Sequence, residues 1–127
     1  MIKKMSTALF CSSVLLATAT FATSYHLTKG VSTDYELPPG QLQTIKNHFP
    51  WKVTATCEVR AEENEKDEII FQTLKNRIIL NGEIIDEGKS SALALSRGDK
   101  FTLEFDSLSE AGLTNHGAHL VNIKCSV

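Results

Sequence analysis

The chain has 127 residues, 42% of them apolar, and 13 Lys and Arg against 15 Asp and Glu, for a formal net charge of −2. That length fits one domain around one core. The charge balance, with no basic tract and no aromatic–basic interleaving, argues against nucleic acid or an acidic membrane surface as partner.

Residues 1–22 read as a secretory signal peptide. In MIKKMSTALFCSSVLLATATFATS, Lys3 and Lys4 precede an uncharged, mostly apolar run from Ala8 to Ala22, followed by small residues suited to signal peptidase. Cleavage is expected after Ala19 or after Ala22. Phe10 is too bulky for the position before a lipid-bearing cysteine, so Cys11 is not expected to carry an anchor. Ser12, Ser13, Thr18 and Thr20 dilute the run, which makes it weak for spanning roughly 30 Å of hydrocarbon. Removing Lys3 and Lys4 takes the formal net charge from −2 to −4. The expected location is the periplasm or the secreted fraction, with no stable membrane insertion once the signal is gone.

Residues 23–49 are expected to form an N-terminal arm, a turn and a short helix. TSYHLTKGVSTDYE, 23–36, is polar and without sustained period, and LPPG, 37–40, is a turn because paired prolines fix φ. Residues 41–48 fit two helical turns, with Leu42 and Ile45 on one side and Pro50 as the stop. A helix that short is marginal unless it packs.

Residues 50–127 are expected to form a β domain. WKVTATCEV, 51–59, places Trp51, Val53, Ala55, Cys57 and Val59 on one face by strict alternation. The acidic run AEENEKDE, 61–68, is a solvated loop, and IIFQTLK, 69–75, a second strand. Asn81-Gly82 between RIIL and EIID is a hairpin turn, since a type I′ turn needs positive φ at both central positions. DEGK, 86–89, is another turn. SALALS, 91–96, and KFTLEF, 100–105, flank a tight reversal at Arg97-Gly98-Asp99. After the polar span DSLSEAG and the turn TNHG, the strand AHLVNIKCS closes the chain. The fold expected is all-β, a small antiparallel sandwich or barrel of six to seven strands.

Cys57 and Cys125 are the cysteines left after signal removal, an even number in an exported chain, and their pairing is expected. The loop so closed, roughly 70 residues long, corresponds to about 4 kcal/mol in a chain-entropy treatment.

Residues that could carry chemistry are few. His116 and His119 share an i, i+3 spacing, which on a helix would place them together and, with His26 or a carboxylate, around a divalent metal; Gly117 and the alternation after it place them instead in a turn and a strand. Glu62, Glu63, Glu65, Asp67 and Glu68 offer oxygen ligands without the spacing or the glycine of a calcium loop, and suit a hydrated turn or a surface facing a basic partner. Arg97-Gly98-Asp99 matches an adhesion tripeptide and equally suits a turn. Asp86, Asp99 and Glu104 would need the fold to gather them into a hydrolase site. No GxSxG elbow, SxxK pair or HExxH helix is present. No metal or cofactor is implied. The loops bearing Asn81, Arg97 and Asp99, and Asn115 and His116, are expected to gather at one or both ends of the domain as an interaction surface.

At WKVTATCEV, LNGEIIDEG, SRGDKFTLEF and LTNHGAHLVNIKCS the chain resembles a group of small exported proteins of unknown function in intracellular Gammaproteobacteria such as Legionella and Coxiella. The resemblance covers roughly residues 50–126, including both cysteines. It implies a periplasmic or secreted β-rich domain in a host-associated bacterium and assigns no catalytic residue.

The function expected is that of an exported, non-catalytic binding or protein-interaction domain, its partner a protein or envelope component. The alternatives are an inhibitor of a secreted or host hydrolase such as a lysozyme, using the acidic run against a basic enzyme, and a small metal-dependent hydrolase using His116 or His119.

Overall fold

The computed structural model describes residues 23–26, 32–60 and 65–127. The expected signal peptide lies outside the described residues, as do Glu62 and Glu63. Along the described residues run β1 (Thr23–His26), β2 (Ser32–Leu37), β3 (Leu42–Lys46), β4 (Val53–Arg60), β5 (Asp67–Lys75), β6 (Arg77–Leu80), β7 (Glu83–Asp86), β8 (Ser90–Leu95), β9 (Lys100–Phe105), β10 (Glu110–Asn115) and β11 (Val121–Ser126).

They form two sheets. One has five strands in the order β1-β3-β10-β5-β8, and the other six in the order β2-β11-β4-β9-β6-β7. Every pairing is antiparallel except that of β1 with β3. The arrangement is a sandwich and not a closed barrel. Alternation explains the layering: along β4, Val53, Ala55, Cys57 and Val59 are buried while Thr54, Thr56 and Arg60 face solvent. Phe71 of the five-stranded sheet meets Phe101 of the six-stranded sheet edge-on, with ring centroids 5.3 Å apart. Thr73, also on β5, crosses the same interior and donates its hydroxyl to the Ile85 carbonyl of β7 at 2.6 Å. This leaves no unsatisfied hydroxyl at that point of the core.

Cys57 and Cys125 are bonded and stand directly opposite each other on β4 and β11, with Cα atoms 4.0 Å apart. Asn81 and Gly82 take φ of 49° and 85° and close the β6–β7 hairpin as expected. All other pairs of consecutive strands change sheets. The Ser96–Asp99 reversal, for instance, carries the chain from β8 in one sheet to β9 in the other. It is a crossover and not a hairpin.

Four expectations are corrected. Residues 41–48 contain β3, not a helix: an extended strand here is paired along both edges, with β1 and β10, which an eight-residue helix could not match. Within the expected arm, Ser32–Leu37 is a strand on the edge of the six-stranded sheet and buries Tyr35 and Leu37. The polar span after Phe105 leads into β10, whose Gly112 lets Leu42 and Leu74 close over it, because a Cβ there would lie 2.9 Å from Leu42 Cδ1. The strand count of six to seven was therefore low; the missed strands are short, small-residue or polar, and owe their position to partners distant in sequence.

Candidate functional site

The polar end of the sandwich is where most of the sequence-selected residues come together. Asp67 opens β5 and is only 4% exposed. Its Oδ1 accepts from the Ala118 amide at 3.2 Å and lies 3.3 Å from Nδ1 of His119. His119 Nε2 is 3.3 Å from Glu65 Oε1, so each ring nitrogen is within ion-pair distance of a carboxylate. Asn115 is fully buried: its Nδ2 donates to the carbonyls of Leu37 at 2.8 Å and His119 at 2.7 Å, and its Oδ1 accepts from Gly117 N. The His116 amide donates to the Glu68 carbonyl at 2.8 Å.

This reorders the expected interaction surface. Asp67 and Asn115 are not surface groups but the internal fasteners of the 116–120 loop, because a buried carboxylate and a buried carboxamide must find partners within the protein. Glu65 and Glu68 are exposed, Glu65 as the outer partner of His119. His116 is exposed while His119 is turned to the carboxylates. Among the described residues no group of three or more His, Cys, Asp or Glu side chains is arranged to hold a metal ion.

The other selected turns are likewise engaged. Asp99 Oδ2 accepts from Ser96 N at 2.9 Å and closes its own turn, while the backbone of Gly98 and Asp99 bonds to Val59. Arg97 lies exposed on that turn. Asn81 Oδ1 accepts from Thr102 N at 2.8 Å, and Asn81 N donates to Thr102 O, extending the β6–β9 ladder by one step. Asp86 pairs with Arg77, and Glu104 with Lys52. The three acids Asp86, Asp99 and Glu104 thus have separate partners.

The opposite end presents apolar surface. Alternation would point Trp51 inward with Val53; instead β4 begins at Val53, and Trp51 is 53% exposed. Pro50 accounts for the difference, since it cannot donate to a ladder and breaks the alternation ahead of Val53. His48, Phe49 and Trp51 form a continuous stack, with centroids 4.5 Å and 4.9 Å apart and interplanar angles of 29° and 19°.

One residue holds this platform in place. Asn47, 2% exposed, donates from Nδ2 to the carbonyls of Trp51 at 2.9 Å and Asp106 at 3.1 Å, and its Oδ1 accepts from Phe49 N at 3.0 Å. Its backbone N donates to Ser109 O, and Leu108 N donates to Phe49 O at 3.1 Å, so the 47–51 and 106–109 loops form one unit. Leu108 sits at φ 57°, 46% exposed, with its carbonyl bound by Asn76 Nδ2. Non-glycine residues seldom occupy that region.

A cleft of about 230 Å³ opens beside Trp51, lined by Lys52, Val53, Thr54 and Val127. A second hollow of about 360 Å³ lies further along the solvent face of the same sheet, against Ser32, Thr56, Glu58, Lys100, Lys124 and Ser126. Both are open and shallow.

Asn47, Phe49, Trp51 and Leu108 are not marked as site residues by the sequence alone. A signal was present in Phe49-Pro50-Trp51, where proline between two aromatics removes both from any strand register. Comparison with family models, curated proteins and solved structures finds no match. Among the described residues no helix is long and apolar enough to cross a membrane.

Proposed function

We propose that this chain is an exported, non-catalytic binding domain that meets its partner through the aromatic end. The observation that carries this reading is Trp51, half exposed yet stacked on Phe49 and tied through its carbonyl to buried Asn47. Leaving half of an indole exposed forfeits about half of the roughly 1.5–3 kcal/mol that full burial of a large apolar side chain supplies. Fixing it in place removes the entropy cost a floppy ring would bring to an interface. A ring both presented and immobilised is suited to recognition, and Trp is enriched among residues that dominate binding energy.

The disulfide fits an oxidising compartment, which together with the N-terminal sequence supports export to the periplasm or beyond. His119, clamped between Glu65 and Asp67, is better placed to fasten a loop than to act as a base. The test has two parts. Protein exported by a bacterial host should begin at residue 20 or 23 by intact mass. Retention of that protein on envelope or host-cell fractions should be saturable and should fall about tenfold in Trp51→Ala. Equal retention of the variant would remove the aromatic end from the function.

A further inference from the structure

The aromatic end does not stand alone: it continues into the solvent face of the six-stranded sheet. The registers of β2, β11, β4 and β9 place outward side chains in rows across this face. One row is Ser32, Ser126, Thr56 and Thr102, four hydroxyls in succession. The next, toward the polar end, is Asp34, Lys124, Glu58 and Lys100, with charge alternating at each strand. On the other side of the hydroxyl row, Thr54 is paired with Glu104, which holds Lys52 at 3.6 Å, and there the cleft beside Trp51 begins.

Those rows define the chemistry of an occupant. The alternation cancels the field, and Glu58 is also within 3.5 Å of Arg60, so no strong potential attracts a polyanion or a polycation. What remains is a dense set of short donors and acceptors beside a flat aromatic ring. A pyranose matches both. Its C–H face removes apolar area from water when laid on an indole, and its rim hydroxyls need partners of both kinds. The 230 Å³ cleft falls below the roughly 300–1,000 Å³ of sites that enclose a drug-sized ligand. It suits a single ring of a chain that continues over the 360 Å³ hollow.

We propose that the track from Trp51 along the outer face of β4 to Lys100 binds a neutral, extended polysaccharide, with one sugar stacked on Trp51 and following units hydrogen-bonded to Thr54, Thr56, Thr102 and Ser126. This rests on the reading of the aromatic end as a binding surface and names its ligand class. The distance from Trp51 to Arg60 along an extended strand is about 30 Å, long enough for several sugars. Affinity should therefore grow with chain length and change little with salt, because no net charge is neutralised.

Trp51 is the only tryptophan of the chain, so its emission reports directly on the track. Exported, oxidised protein is titrated with cellohexaose and with chitohexaose, both neutral and β-linked, alongside the corresponding monosaccharides, polygalacturonate and phosphatidylglycerol vesicles. The expected result is a saturable emission change with at least one hexasaccharide, about tenfold weaker for its monosaccharide and unaltered by added salt. By calorimetry, Trp51→Ala should weaken that binding about tenfold and the pair Thr56→Val, Thr102→Val by a few-fold, with far-UV circular dichroism unchanged. Absence of a saturable change with both hexasaccharides overturns the proposal, as does undiminished binding by Trp51→Ala, or preferential response to the polyanion or the vesicles. If the hexasaccharides fail while Trp51→Ala still loses retention on envelope or host fractions, the binding-domain reading stands and only the ligand class falls.

Discussion

Gly117 lies so close to Asp67 that a Cβ at position 117 would overlap the Asp67 carboxylate. The contact exists because the 116–120 loop folds down over β5, where the Asp67 Oδ1 accepts from the next amide, that of Ala118. Gly117→Ala must therefore displace either the loop or a buried acid. The expected loss is roughly 1–3 kcal/mol, in the range of overpacked interiors, read as a lower urea midpoint with an unchanged slope. An unaltered midpoint would show that the loop is free to lift from Asp67.

At the far end of the sandwich Asn47 has a comparable task, and the two ways of damaging the platform should separate. Asn47→Ala leaves the Trp51 carbonyl and the Phe49 amide without their partner and takes one of two donors from the Asp106 carbonyl, which keeps the Ser109 amide, at a cost of about 1–3 kcal/mol for each group left unsatisfied. A melting temperature lower by roughly 10 °C is expected, with loss of the near-UV signal of the fixed indole. Trp51→Ala removes a half-exposed ring and should shift the melting temperature far less. Equal losses in the two variants would mean that Trp51 is a core residue and not a presented one.

What could be read from the sequence follows from the range of the interactions involved. Alternation along 53–59 and 100–105, the Asn81-Gly82 turn and the Cys57–Cys125 pairing are carried by residues near one another in sequence or by a rare residue type, and all are present in the structure. Residues 32–37, 42–46 and 110–115 carry no such pattern. Gln43, Thr44 and Ile45 are buried in succession between β1 and β10, a burial pattern that neither helical nor strand periodicity forecasts. Asn47 and Asn115 are legible only afterwards, for an isolated Asn looks the same in sequence whether it faces water or, after a strand or at its end, closes a network. Asp67 shows the same limit from the other side: five acids within residues 62–68 suggest a hydrated loop, yet one of them begins a strand and is buried.

The disulfide joins neighbouring strands across a sequence separation of 68. Both sulfurs lie on the buried face, so reduction removes a constraint on the unfolded chain while leaving the β4–β11 ladder in place. The chain-entropy treatment assigns about 4 kcal/mol to a loop of that length, a large share of the stability of a domain this size. Reduced protein, or the double variant Cys57→Ala, Cys125→Ala, should unfold at a lower urea midpoint by the equivalent of about 2–5 kcal/mol. Coincident midpoints for oxidised and reduced protein would show that the ladder alone fixes the pairing of β4 with β11.

Leu108 offers a test of whether the aromatic end is shaped for recognition or only for folding. A leucine at φ 57° carries a local steric cost that asparagine tolerates better, and its side chain, nearly half exposed, returns little burial in exchange. Leu108→Asn is therefore expected to raise stability by about 0.5–1 kcal/mol, seen as a rise of a few degrees in melting temperature. If the residue is kept for contact with a ligand, the same variant should bind less well than wild type despite being more stable, the trade expected where a functional surface retains strain. A variant that is more stable and binds equally well would confine recognition to the stacked rings and the sheet face beside them.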